Sequence, residues 1–371
     1  MESVTTENQH IVMSARRHAR QFNKMKRRLG TLPFLITSLL FVACSNDPKL
    51  ALGEEKSTSD EPEITDKMIE AIKTISLNDA EDGLVKRVNQ GKSLACLKGD
   101  FTVSEGLPEK LKQGIFATTT TYPAMVRFAN ASSDDDSKKD FRGMSIKLNG
   151  VEGSSLWGKD GELDFTLNSY PALFAANPDE FLSFLEANAS GGIWKFFINP
   201  LNWDSAALLI TGRAEISSPF DIRYWSTTPY RFGPDQSVAV KYSVKPCSTA
   251  KSDTPDNDHE DFFQDTMAAH LDSANVCFDF MVQFQIDPIT MPIENASVEW
   301  DEEESPFLTV ATLVISNQDF QEKETMLACE KATFNPWQTL AEHKPIGGIN
   351  RVRRAVYSES GEFRNQQNQE K

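Results

Sequence analysis

The chain has little of what marks a metal or nucleophilic centre: five cysteines and five histidines in 371 residues. Cys44, Cys96, Cys247, Cys277 and Cys329 contain no Cys-x-x-Cys pair, which excludes zinc-ribbon and thioredoxin-type sites. The histidines are His10, His18, His259, His270 and His343. His259 and His270 stand 11 residues apart, too far to share one ion, because paired helical ligands need a spacing of three or four. A basic stripe is also missing, since 54 carboxylates outnumber 38 Lys and Arg and leave a net charge of −16, a balance that repels nucleic acid. No apolar run reaches the roughly 20 residues of a membrane-spanning helix.

What is present is most distinctive near the carboxyl end. In Asn350-Arg-Val-Arg-Arg-Ala-Val-Tyr357, Arg353 precedes Tyr357 by four residues and Arg364 follows it by seven, so on a helix all three share one face. A guanidinium held beside a phenol favours the phenolate. A phenolate is a hard donor for ferric iron, and tyrosine is one of the few haem axial ligands. Taken alone, the same pattern also describes a solvated basic helix with one half-buried ring.

Other segments weigh against that second reading. Arg87-Val-Asn-Gln90, Leu94-Ala-Cys-Leu-Lys-Gly-Asp-Phe101, Tyr122-Pro-Ala-Met-Val-Arg127-Phe-Ala-Asn130, Asp140-Phe-Arg142-Gly-Met-Ser-Ile-Lys147, Asp164-Phe-Thr-Leu-Asn168-Ser-Tyr-Pro171 and Pro345 to Tyr357 follow one another in order. Over roughly residues 84–365 the sequence resembles the catalase superfamily, in particular its small bacterial catalase-like branch. The resemblance implies a mixed antiparallel β-barrel with flanking helices and haem b between the barrel and the terminal helix. It makes Tyr357 the proximal ligand, Arg353 the residue that keeps it ionised, and Arg87, Arg127 and Arg364 the guanidiniums that hold the propionates.

The departures concern the distal side. Where the family has its distal histidine this chain has Gln90, or Gly91 if the alignment slips by one, and Ala129 replaces the distal serine. Asn168 matches the distal asparagine. An imidazole can carry a proton between the two peroxide oxygens, whereas an amide only donates and accepts hydrogen bonds. Loss of such a group lowers the rate by about 10²–10⁴-fold. Lys92 and Asp100 are nearby substitutes or, alternatively, surface charges.

These features imply a haem protein acting on hydrogen peroxide or organic hydroperoxides, including lipid hydroperoxides, with weakened catalase activity and Gln90 and Asn168 as its candidate catalytic residues. Two alternatives are a non-catalytic haem-binding or sensing lipoprotein and a haem-free scaffold of the same fold. No oligomeric state is legible.

The amino terminus speaks to location. Met25-Lys-Arg-Arg28, the short apolar run Leu32–Val42 and Val42-Ala-Cys44-Ser resemble a bacterial lipoprotein signal with translation starting at Met25 and a lipidated Cys44. Residues 1–43 are then removed, and 44–65, with six carboxylates and two prolines, reads as a flexible acidic tether. Acyl chains on Cys44 would hold the protein at a membrane of the cell envelope, with the periplasmic face of the outer membrane as the expected site.

Residues 66–371 form the expected haem-binding domain. Strand patterns fall at Ala124–Ala129, Gly143–Leu148, Leu163–Leu167, Ser237–Val244, Val276–Gln285 and Phe307–Ile315, and helical patterns at Thr65–Ile75, Pro178–Ala187, Glu260–Ser273 and Asn350–Gln366. This predicts an α+β fold. Trp203, Tyr224, Trp225 and Tyr230 read as a loop-borne aromatic cluster. Cys96, Cys247, Cys277 and Cys329 read as buried small hydrophobes, with one or two bridges allowed in an oxidising compartment.

Overall fold

Strand β2, Thr121–Asn130, alternates so that Tyr122, Ala124, Val126 and Phe128 face one way and Arg127 and Ala129 the other. Similar alternation runs through β1 (Lys92–Val103), β3 (Arg142–Val151), β4 (Gly161–Asn168), β7 (Ala239–Pro246), β8 (Val276–Phe284) and β9 (Leu308–Ile315). The computed structural model describes residues 50–81, 83–253 and 259–369. In it these strands pair antiparallel in the order β4-β3-β2-β1-β9-β8-β7, and the two-residue strands β5 (Tyr224–Trp225) and β6 (Tyr230–Arg231) both pair with β7. Because β5 also pairs with β4, the sheet closes into an eight-stranded barrel and its edges disappear.

The barrel interior is aromatic. Phe101 and Phe165 pack on Phe280 with ring centroids 5.1 and 4.6 Å apart, in tilted and edge-on geometries that add to the area they bury. His343 packs against Phe116, Phe232 and Tyr242, fully buried. Its Nε2 accepts the Ile115 N–H at 3.1 Å, which leaves the ring proton on Nδ1, 3.0 Å from Tyr242 Oη. Burial pushes the His343 pKa down to about 3. The unfolded chain therefore binds a proton that the folded chain refuses, and stability falls as pH drops from about 6.5 toward 3, by at most about 1.4 kcal/mol per unit. Urea midpoints measured at pH 7 and pH 5 should show this slope, and His343→Gln should flatten it.

Among the described residues seven helices flank the barrel: α1 (Glu61–Asn78), α2 (Pro178–Ala189), α3 (Trp194–Ile198), α4 (Trp203–Thr211), α5 (Phe262–Ser273), α6 (Lys323–Lys331) and α7 (Gly348–Gln369). The expected α+β barrel with flanking helices is therefore the fold. α2 starts where Asn177 accepts the Glu180 N–H and Pro178 takes the first turn. Val352 and Val356 of α7 bury against Ile64, Met68 and Ile75 of α1 and Leu182 and Leu185 of α2.

The start of α7 is fixed by charge. The Gly347 and Gly348 N–H groups donate to Glu55 and Glu294 at 3.1 and 2.7 Å, and Arg351 forks onto Glu55, Glu61 and Glu294. Burial alone would raise the Glu55 pKa, but the Gly347 N–H, Lys344 and Arg351 outweigh it and hold the carboxyl below its ordinary value.

Several expectations need correcting. The reading of the acidic stretch 44–65 as a loose tether does not hold at Gly53, Glu55, Lys56 and Glu61, which are tied to the rest of the fold. Gly53 is buried with its N–H on Gln285, Glu55 and Glu61 serve Arg351, and α1 begins at Glu61. An acidic, proline-containing run looks solvated only while its half-buried cationic partner, some 290 residues away, is invisible. The signal region, the Met25 start and Cys44 lie outside the described residues. The four aromatic residues form no single cluster: Tyr224 and Tyr230 are barrel core, whereas Trp203 is 60% exposed.

The four cysteines pair rather than merely fill space. Cys96–Cys329 ties β1 to α6, and Cys247–Cys277 joins the end of β7 to the start of β8. Among the described side chains of α6, Cys329 alone is buried, so the bridge supplies what a missing apolar face does not. Cys329→Ser should lower stability by about 2–4 kcal/mol. Denaturant midpoints of the two proteins with and without reductant check it, since reductant should abolish the contribution of this bridge to the difference.

Candidate functional site

A cavity of about 240 Å³ lies against the outer face of β2–β4. The ladder brings Arg127, Ser145 and Thr166 into one row across three strands, while Phe128, Met144 and Leu167 turn into the barrel core. The opposite walls are apolar: Met68 and Ile72 of α1, Phe181 and Leu185 of α2, and Val352 and Val356 of α7. Gln90, Asn168, Tyr357, Arg353, Arg364, Arg87 and Arg127, chosen from sequence alone, all line this one cavity.

On α7 the four-residue spacing brings Arg353 onto Tyr357. The Arg353 Nη2 donates to Tyr357 Oη at 2.7 Å and to Thr166 Oγ1 at 2.8 Å, while Nη1 reaches Asn350 Oδ1 at 3.2 Å. Thr166 and Asn350 thus fix the guanidinium from two elements before it meets the phenol. Burial works against the charge of Arg353, but Tyr357 and Tyr230 together keep its pKa above the ordinary value.

At the other end Arg87 and Arg127 converge on the Glu330 carboxylate, with Arg364 lining the cavity beside them. Arg87 donates to Glu330 Oε2 at 2.5 Å and to the Glu330 and Ala332 carbonyls at 3.0 and 2.7 Å, so its fork caps the carboxyl end of α6. Arg127 is buried, donates to the Gln90 carbonyl at 2.9 Å, lies 3.6 Å from Glu330, and has an unpartnered buried Nε. Burial, then the like charge of Arg87, pushes Arg127 down to about 9 and Arg364 down to about 10. Arg364 is only 6% exposed and makes no hydrogen bond or ion pair among the described residues. Two buried cations without a full counter-charge can each pair with an added carboxylate.

The Gln90 end of the cavity is built on glycine. Gln90 has φ 57°, donates its N–H to Ala131 O at 3.1 Å, and lays its amide directly on Gly143, where an added Cβ would overlap it. Ala129, Gly143 and Asn168 are ladder partners, so Gln90 and Asn168 meet over the same row. Asn168 Oδ1 accepts the Ser169 N–H at 2.8 Å, which leaves its amide nitrogen as the donor available to a ligand. Gly91 does not line the cavity. Neither proposed substitute is at the site: Lys92 is paired with Asp136 and Asp261, and Asp100 is exposed.

Sequence reasoning missed Glu330, Thr166 and Ser145. Glu330 lies 243 residues from Arg87, and the one clue was its neighbour Cys329, whose bridge to Cys96 delivers it. Cys96 is itself the ladder partner of Arg127.

No protein-family model matches the chain, and no curated protein matches it by sequence. Solved structures do. A fungal catalase is 16% identical, with 90% of this chain and 69% of that one covered at a TM-score of 0.60. A bacterial catalase is 14% identical, with 91% and 68% covered at 0.60, and catalase A from Saccharomyces cerevisiae is 15% identical, with 90% and 68% covered at 0.60. At these identities the likeness establishes a catalase-like fold.

Proposed function

We propose that the cavity binds haem b and that the protein is a catalase-like haem oxidoreductase of the small bacterial branch, turned away from hydrogen peroxide. The observation that carries this is the meeting of a guanidinium-held phenol and an under-neutralised arginine cluster in one cavity with apolar walls. Tyr357 would ligate the iron, with Arg353 stabilising its phenolate and Thr166 and Asn350 orienting Arg353. The propionates would fall chiefly to Arg127 and Arg364, because the fork of Arg87 is already engaged by α6. Bound haem would supply an iron centre able to accept the oxidising equivalents of a peroxide.

The residues of the chain decide which peroxide. Gln90 and Asn168 can hold both peroxide oxygens by hydrogen bonds but carry no proton between them. Heterolysis of hydrogen peroxide therefore lacks its shuttle, whereas homolytic opening of organic or lipid hydroperoxides needs none. The same amide favours a second reading, a haem-binding or sensing protein without turnover. The visible spectrum of protein expressed with haem available tests the core of both. A Soret band with a high-spin ferric phenolate signature is expected, and protein that refuses haem overturns them in favour of a scaffold.

We further infer acylation of Cys44 and residence at the periplasmic face of the outer membrane, supported by the basic, apolar and cysteine pattern of residues 25–45. The intact mass of protein extracted from membranes should exceed that of the polypeptide by its acyl chains, and an unmodified mass refutes it.

A further inference from the structure

Helices α3 and α4 are apolar on faces that no described residue covers. α3 turns Phe196 inward and leaves Trp194, Phe197 and Ile198 exposed; α4 turns Ala206 and Leu209 inward and leaves Trp203 and Ile210 exposed. On the Pro200–Asn202 turn between them Leu201 is 86% exposed. A helix apolar on all sides belongs in a core or in lipid, and a soluble surface seldom gathers so many large apolar groups. The same segment escapes the acidity of the chain: residues 187–214 hold one carboxylate, Asp204, against Lys195 and Arg213, within a chain of net charge −16.

We propose that the α3–α4 face lies on a phospholipid surface, its tryptophans at the headgroup level and Phe197, Ile198 and Leu201 in the acyl boundary. Tryptophan suits that depth because its ring is apolar and its N–H polar. The charge distribution selects lipid over a protein partner, since an anionic bilayer repels most of this molecule and not this segment. Among the described residues no helix is long and apolar enough to cross a membrane, so the contact is interfacial. It is a second, independent contact beside any acyl chain on Cys44 and does not depend on haem. α2 separates this face from the cavity: its Phe184 packs on Phe196 at 5.4 Å, while Phe181 and Leu185 line the cavity.

The full chain reconstituted on vesicles of phosphatidylethanolamine and phosphatidylglycerol with brominated acyl chains tests this. Expected is quenching of tryptophan emission that Trp194→Phe/Trp203→Phe removes and that Ile198→Asp/Leu201→Asp abolishes. In a Cys44→Ser background the Asp pair should also lower vesicle partitioning by roughly 100-fold, each lost side chain being worth about one power of ten or more. An anchored protein whose Trp194 and Trp203 escape quenching, or quenching that the Asp pair leaves unchanged, overturns the proposal. So does an Asp pair whose effect is to turn a soluble dimer into a monomer, which makes the face an interface between copies.

Discussion

Tyr357→Phe should leave a folded, nearly colourless protein. The substitution removes one oxygen, and the ring itself remains packed beside Val356 and α1. What it removes is the phenol oxygen that accepts the Arg353 Nη2 hydrogen bond at 2.7 Å on the cavity wall. Loss of an outer partner of a metal ligand already lowers affinity about 10–100-fold, so loss of the ligand itself should lower haem affinity by more than about 100-fold. Arg353→Met should fall within the smaller range. Haem content by Soret absorbance, with circular dichroism to confirm the fold, reads both. A Tyr357→Phe protein that keeps its haem removes Tyr357 as ligand.

Gln90→His should raise hydrogen peroxide turnover by the haem-loaded protein by about 10²–10⁴-fold, the usual contribution of a positioned general acid–base. The backbone at residue 90 has φ 57°, a region histidine tolerates better than most side chains, and Gly143 leaves open the space the side chain occupies. Asn168, one ladder step from Gly143, stands ready as the second hydrogen-bonding group. Oxygen evolution measures the gain. Gly143→Ala in the same background should erase it, because the new methyl overlaps the side chain at position 90. No gain in Gln90→His, with haem and fold intact, would show that the missing proton carrier is not what limits peroxide chemistry here.

How much was legible in advance depended on the range of the interaction. The strands at Gly143–Leu148 and Val276–Gln285 and the helix at Asn350–Gln366 alternate or repeat within themselves, so local periodicity found them within a few residues of β3, β8 and α7. Strand β1 was not found, because Lys98, Gly99 and Asp100 interrupt its apolar run while its partners β2 and β9 hold it in place. α6 was missed for a related reason: its described side chains offer no apolar face and a disulfide holds it.

The sequence by itself determined six of the barrel strands, β2, β3, β4, β7, β8 and β9, and the helix that carries Arg353 and Tyr357, since residues four apart on a helix must be neighbours whatever surrounds them. It also excluded a histidine at position 90 or 91, which is a matter of residue identity. The tertiary structure alone decided that Glu330 would face Arg87, that Thr166 would steer Arg353, that Glu55 would anchor α7 instead of dangling in a tether, and that Gln90 rather than Gly91 would enter the cavity. Each of these joins residues far apart in the chain or turns on a single backbone torsion, and ladder register and barrel closure, not local pattern, set where such groups meet.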